Sequence, residues 1–234
     1  MKSWVMILAT FVLASTFPLV GCSKEAPAEP ATETTTTEPA TEEPKTDPAA
    51  NLPAEPTEGE EVAVLETESG KIVVMFYPDV APKHVENFKS LVSSGFYDGT
   101  RFHRCMPGFM IQGGDPKTKD VALQHEWGTG GNMVDGKEKT IPAEFNSISH
   151  ERGILSMARS NDPNSASSQF FLMHQVSPFL DGQYTAFGKV VSGLEVIDRI
   201  VATGPTDPNL NGTVDPRKAV VLKKATIQKW PVKE

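Results

Sequence analysis

From residue 62 onward, apolar and polar positions alternate in short runs separated by turn residues. Residues 62–67 and 71–76 are rich in Val and other strand-favouring side chains and are split by Ser69-Gly70, the pattern of a β-hairpin. Residues 82–94 change period: Val85, Phe88, Leu91 and Val92 share one helical face, Pro82 suits a first turn and Gly95 a C-terminal stop. Short strands are expected at 101–105, 109–112, 154–158, 169–174 and 185–190. A second helix is expected at 194–202, where Leu194, Ile197, Asp198 and Val201 recur at helical spacing, and closing strands at 218–229. Many short strands with Gly-rich turns and only two helices predict a mainly β, closed architecture with helical caps. No internal repeat is apparent.

Ahead of residue 62 the pattern changes twice. Trp4 to Val20 is apolar, interrupted only by Thr10, Ser15, Thr16 and Pro18, with Lys2 as the sole charge before it and Gly21-Cys22 closing it. Residues 1–21 therefore read as a signal peptide. Residues 23–61 then have seven prolines, eight threonines and no aromatic residue. They also hold 11 of the 30 acids and only 2 of the 22 bases, so most of the chain's formal charge of -8 arises there. Such a stretch buries too little apolar area to offset the entropy of ordering, and residues 22–61 read as a disordered tether. The domain at 62–234 is formally neutral, which gives no electrostatic footprint for nucleic acid.

The run Leu19-Val20-Gly21-Cys22 resembles the lipobox of bacterial lipoproteins. That resemblance implies cleavage before Cys22, acylation of its thiol and anchoring to a membrane. The protein is then exported, on the outer face of the cell membrane or in the periplasm or outer membrane of a Gram-negative host. An uncleaved anchor or an ordinary secretory signal are the alternatives. The cysteine at the end of the apolar run, followed at once by a tether, favours the lipoprotein. Cys105, the other cysteine, is then expected as a free thiol rather than as a partner of Cys22.

The usual catalytic motifs are missing from the sequence. There is no GxSxG elbow, no phosphate loop and no GxGxxG after a strand. His103 and Cys105 lie two apart, but no further ligands complete a metal site, so both read as packing residues. Asp207, Asn209, Asn211, Gly212 and Asp215 mimic the start of a calcium loop. Lys218 stands where a bidentate glutamate is needed, so the segment reads as a surface loop. Neither a metal nor a cofactor is expected.

What remains is a set of blocks in order: Phe102-His103-Arg104, then Pro107-Gly108-Phe109-Met110-Ile111-Gln112-Gly113-Gly114-Asp115, then Gly128-Thr129-Gly130-Gly131. Gly153-Ile154-Leu155-Ser156-Met157-Ala158, Ser168-Gln169-Phe170-Phe171, Phe179-Leu180-Asp181-Gly182 and Phe187-Gly188-Lys189-Val190 follow. Together these closely resemble the cyclophilins, from Val62 to about Trp230. The resemblance implies a closed antiparallel eight-stranded β-barrel capped by two α-helices. It implies peptidyl-prolyl cis-trans isomerase activity on proline-containing unfolded or nascent polypeptides. It places Arg104 as the donor to the twisting amide and Gln112 as the group that orients it. Phe109, Met110, Phe171 and Leu180 then line the proline pocket, Ala158, Arg159 and Gln169 flank the groove, and Gly128 lies at its rim. Phe179 stands where cyclosporin-sensitive members carry Trp, and Tyr184 where many carry His, both in substrate-contacting positions. Residues 116–127 form a longer segment than in compact members, and Trp127 is expected to anchor it.

Elementary chemistry agrees with this reading. Rotation about a prolyl amide faces a barrier of roughly 20 kcal/mol and breaks no covalent bond. It calls for an apolar slot and a fixed donor rather than a nucleophile. Phe170 and Phe171 face opposite ways on a strand, so one can pack in the barrel and the other line the groove. A non-catalytic peptide-binding chaperone on the same fold is the alternative, and loss of Arg104 or Gln112 would favour it. A solute-binding lipoprotein would need α/β alternation, which is missing. A monomer is expected.

Overall fold

The computed structural model describes residues 48–233. The signal peptide, Cys22 and the tether as far as residue 47 lie outside the described residues. β1 (Glu61–Thr67) and β2 (Gly70–Phe76) form the expected hairpin, and α1 (Pro82–Ser93) follows it. β3 (Arg104–Met106) and β4 (Met110–Gly113) form a second hairpin. The sequence reading did not include the small hairpin of β5 (Met133–Val134) and β6 (Lys137–Glu138). It turns through Asp135-Gly136, both at positive φ (51° and 76°), which is the conformation that an Asp-Gly pair favours. β7 (Ile154–Met157), β8 (Phe170–Met173), β9 (Ala186–Ser192), α2 (Leu194–Val201) and β10 (Leu222–Lys229) complete the elements.

The main sheet is antiparallel, eight-stranded and ordered β10-β1-β2-β9-β7-β8-β4-β3. Its ladder does not close strand to strand: β10 and β3 are its two edges. The segments that lead into those edges stitch them together. Phe102 donates its backbone N–H to Val220 O (3.0 Å), Leu222 to Thr100 O (2.8 Å), and Cys105 to Gly212 O (2.8 Å). The expected barrel is thus a curled sheet with an irregular seam.

Alternation along the strands builds two apolar layers rather than one. Ala63, Leu65, Ile72, Val74, Ile111, Phe170 and Leu172 point into the main core, while Val62, Val64, Val73, Met75, Met110, Phe171 and Met173 build a second cluster. The main core is capped by both helices. Phe88 of α1 meets Phe76, Tyr97, Phe170 and Phe187 at ring centroid distances of 5.1 to 6.0 Å, and burying such a ring stabilises by about 2–3 kcal/mol. α2 adds Val196, Ile197, Ile200 and Val201.

The second cluster is covered by chain ends and loops. Ala49 and Leu52 pack on it from the N-terminal side, and Trp230 and Val232 from the C-terminal side. The two ends are joined by Gly59 N–H to Trp230 O and Trp230 N–H to Glu60 O, both 2.8 Å. Packing therefore begins ahead of Val62, where the sequence reading starts the domain. α1 has no capping side chain of its own at Ala81. Glu144 supplies the cap from 60 residues away, accepting from the backbone N–H of Lys83 (3.1 Å) and of His84 (3.0 Å).

His84, His103 and His150 are buried. Burial pushes each ring below the ordinary histidine value of 6.5, with Glu144, Asp115 and Asp181 respectively opposing it. The unfolded rings take up protons first as pH falls. The stability that these neutral rings supply is therefore fully present above 6.5 and lost as pH drops through the lower folded values. The urea midpoint of the domain should hold steady from about pH 8 to 7 and fall between about pH 6.5 and 5. A midpoint at pH 5 equal to that at pH 7.5 would contradict this.

Candidate active site

Strand register assembles the site. Arg104 of β3 opposes Gln112 of β4, Gln112 opposes Phe171 of β8, and Phe171 opposes Ser156 of β7. Directly opposed residues project from the same face, so these four form one row across the outside of the sheet. Arg104, Gln112 and Phe171 of this row border a cavity of about 330 Å³, and Ser156 is buried behind it. Phe109, Met110, Phe171 and Leu180 give it an apolar wall, and Arg104, Gln112, Gly128, Ala158, Arg159 and Tyr184 line the rest. Ten of the twelve expected site residues therefore meet around one space. Gln169 stands one step back, in an adjoining hollow. Phe179 lies on the outer rim, 65% exposed, with its ring 5.5 Å from that of Phe109.

The Arg104 guanidinium is held on two sides. Nε donates to the backbone oxygen of Asn211 and Nη2 to its Oδ1, both at 2.9 Å. Nη1 lies 3.4 Å from Gln112 Oε1. Gln112 Nε2 donates to Gln169 Oε1 (2.9 Å), and Gln169 Nε2 donates to Gly130 O (2.8 Å). All three donations run the same way, so Arg104 heads a polar relay that ends on the glycine loop. Partial burial lowers the Arg104 pKa from its ordinary value, with Tyr184 opposing the shift, and the side chain remains a cation at neutral pH. Arg159 is fixed separately. Its guanidinium lies over the rings of Tyr184 (4.6 Å) and Phe145 (5.6 Å) and donates to Gln183 O and Ser160 O.

The 116–127 segment is built, not loose. Two 3-10 turns, Pro116–Lys119 and Val121–Glu126, carry it. Its staple is Asp115, fully buried, whose carboxylate accepts the N–H groups of Lys117, Gly128 and Gly130. Trp127 is partly buried, packs on the main core and borders the cavity, and its indole N–H donates to Asp120 O (3.2 Å). The ring assists the anchoring, and the buried carboxylate fixes both ends.

Comparison with known proteins gives a consistent answer. The family model for "Cyclophilin type peptidyl-prolyl cis-trans isomerase/CLD" matches residues 62–227. The chain belongs to the cyclophilin family. A probable peptidyl-prolyl cis-trans isomerase of Brucella abortus is 42% identical over 179 residues, spanning 75% of this chain and 86% of that protein. Peptidyl-prolyl cis-trans isomerase B of Bacillus subtilis is 45% identical over 128 residues, spanning 55% of this chain and 81% of that protein. A solved cyclophilin-type isomerase of Cryptosporidium parvum, crystallised in the presence of the dipeptide Ala-Pro, superposes with a TM-score of 0.61. It is 30% identical and spans 72% of this chain and 99% of that one.

Several residues of this cyclophilin site are not among those expected from the sequence. His103 borders the cavity, and neither of its ring nitrogens has a hydrogen-bond partner among the described residues. Thr213 and Asn211 also border it, from the loop read as mere surface. The sequence carries one local cue, Asn211-Gly212. Asn211 sits at a left-handed φ of 47°, and a Cβ on Gly212 would come within 2.3 Å of Met106. Only a bare glycine lets the loop approach β3 closely enough for Asn211 to reach Arg104. Asn211→Gly keeps the backbone carbonyl and removes the Oδ1 bond. It should lower kcat/KM by about three- to ten-fold at an unchanged urea midpoint. Wild-type kcat/KM would show that Arg104 is held without that side chain.

Proposed function

We propose that this cyclophilin isomerises Xaa-Pro bonds of exported polypeptides during their folding, with Arg104 as the group that lowers the barrier. The observation that carries the reading is a charged, prefixed guanidinium at the edge of the apolar slot walled by Phe109, Met110, Phe171 and Leu180. The pyrrolidine ring enters between Phe109, Met110, Phe171 and Leu180, and the chain on either side lies along the groove. Twisting the amide removes the nitrogen lone pair from the π system, and a guanidinium N–H can then donate to it or hold the prolyl carbonyl. Asn211 and Gln112 already orient that donor, so little reorganisation accompanies the twist. The half-buried position strengthens the interaction relative to water. No bond is made or broken, so no proton needs to be moved.

Arg104→Ala should lower kcat/KM at least ten-fold, about 1.4 kcal/mol of barrier, with the fold unchanged by circular dichroism. Arg104→Lys should recover little, because an ammonium cannot use both Asn211 oxygens while presenting a planar donor. Near-wild-type turnover in the folded alanine variant, by a protease-coupled or NMR exchange assay, would remove Arg104 from the mechanism, whereas no turnover in the wild type would favour a peptide-binding chaperone.

We read the N-terminal region as a lipoprotein leader. Cleavage before Cys22 and acylation of its thiol would tie the protein to a bacterial membrane. Cys105 is buried and has no disulfide partner among the described residues, and burial pushes its thiol up to about 12, which keeps it unreactive. Intact mass of the detergent-extracted protein should show lipid on the peptide starting at Cys22, and one free thiol after unfolding. A Cys22–Cys105 disulfide, or a mature N-terminus elsewhere, would contradict the reading.

A further inference from the structure

Behind the proline pocket lies a buried imidazole that takes no part in holding Arg104. His150 is fully buried, and its ring stacks on Phe171 with centroids 6.1 Å apart and planes 21° from parallel. Its Nδ1 lies 2.9 Å from Asp181 Oδ1, which also accepts the His150 backbone N–H at 2.8 Å. Asp181 directly follows Leu180, another wall of the pocket. Nε2 lies 3.0 Å from Ser156 Oγ, and Ser156 is the ladder partner of Phe171. One side chain thus touches Phe171, holds the Leu180 turn through Asp181, and holds β7 through Ser156. A packing role alone would be served by an apolar residue of similar size, without the cost of burying two ring nitrogens.

We propose that His150 is the positioning residue of the proline pocket, setting the spacing between the Phe171 ring and the Leu180 turn and, through its protonation state, the direction of the Ser156 hydroxyl beside them. This rests on the isomerase reading of the cavity and adds to it a residue that substrate does not touch.

The hydrogen-bond inventory limits the states available. Asp181 only accepts, so Nδ1 carries a proton. With a neutral ring, Nε2 is bare, and the Ser156 hydroxyl must choose between Nε2 and Thr185 O, which lies 2.9 Å away. With a charged ring, Nε2–H donates to Ser156 Oγ, the hydroxyl proton is free for Thr185 O, and every contact is made at once. Among the described residues, the titratable or charged groups around this assembly are few. Asp181 faces the ring from the 178–181 turn. β7 contributes the Ser156 hydroxyl, and β8 only the Phe171 ring. Tyr184 meets the Phe171 ring edge-on at 5.8 Å. Burial disfavours the charged ring and Asp181 favours it, with burial the larger effect, so the ring is neutral at pH 7. Acidification then turns the Ser156 hydroxyl from Nε2 to Thr185 O.

The test combines NMR and kinetics on the full chain. In wild type, the Phe171 ring and Leu180 methyl resonances should titrate with the same midpoint as the His150 ring, below 6.5. His150→Ala should raise KM for a proline tetrapeptide about five-fold at pH 7.5 with kcat within about two-fold. His150→Gln can still donate to Asp181 and engage Ser156. It should recover most of that KM while abolishing the titration of Phe171 and Leu180. Resonances that stay fixed while His150 titrates would overturn the proposal, as would a folded His150→Ala variant with wild-type KM. Should the alanine variant not fold, the wild-type titration and the glutamine variant decide. The titration needs no turnover, so its failure is distinct from a failure of the isomerase reading, in which wild type itself would lack activity.

Discussion

The register of four short strands is the constraint on which the site depends. Arg104, Gln112 and Phe171 face the cavity, with Ser156 buried behind Phe171, because β3, β4, β8 and β7 pair in one alignment. A slip of one residue in β8 would exchange Phe171 with Phe170. Phe170 sits in the main core against Phe88, Tyr97 and Phe102, while Phe171 floors the pocket. The slip would therefore open a hole in the core and remove the slot in the same move. The strands that must not slip are three or four residues long, too short to hold register by backbone pairing alone. The alternating aromatic and aliphatic side chains hold it, since each has a different cluster to fill.

That arrangement explains why the strands lack a clean division into wet and dry faces. Both faces of β1, β2 and β8 are apolar because both are covered. The inner face meets α1 and α2. The outer face meets the chain ends, the 146–150 loop and, at one end, the cavity itself. The proposed proline pocket is a part of the second cluster that none of the described residues covers. Its apolar wall and the cluster under Leu52 and Trp230 belong to the same layer, so the slot needs no separate scaffold.

The sequence made some of this legible and left other parts out of reach, for a physical reason. Elements set by local pattern were readable: the β1–β2 hairpin, the amphipathic face of α1, the opposed roles of Phe170 and Phe171. So was the set of residues around the cavity, because those blocks resemble a known family. Contacts that join distant parts of the chain left little local trace. Glu144 caps α1 across 60 residues, and Asn211 grips Arg104 across 107. Nothing around Glu144 marks it as a cap. Asn211 lay within a loop whose Asp and Asn spacing pointed toward calcium before it pointed to surface. The start of packing at Ala49 and Leu52 was hidden by composition, since a Pro- and acid-rich stretch holds only a few apolar residues and two of them dock. The seam was unreadable for a related reason: its bonds join 99–105 to 212–222, each with at least one end outside the regular strands.

Placing a cation beside an apolar slot is costly, and the way the fold meets that cost bears on how it can act. A half-buried guanidinium needs its donors satisfied, yet one that is fully satisfied has nothing left for substrate. Two Arg104 nitrogens face Asn211, and the third makes only a long contact with Gln112. Gln112 is itself committed to Gln169, and Gln169 to Gly130. The weakest link in the relay is therefore the one beside the cavity. In the proposed mechanism a peptide entering there would compete with a 3.4 Å contact rather than with a carboxylate. The absence of a carboxylate partner for Arg104 among the described residues matters for the same reason. An ion pair would hold the arginine more firmly and also neutralise the field that the proposed mechanism draws on. Neutral oxygens orient the cation and leave its charge unspent, which is the condition under which a fixed donor can favour a transition state that differs from its ground state only by a rotation.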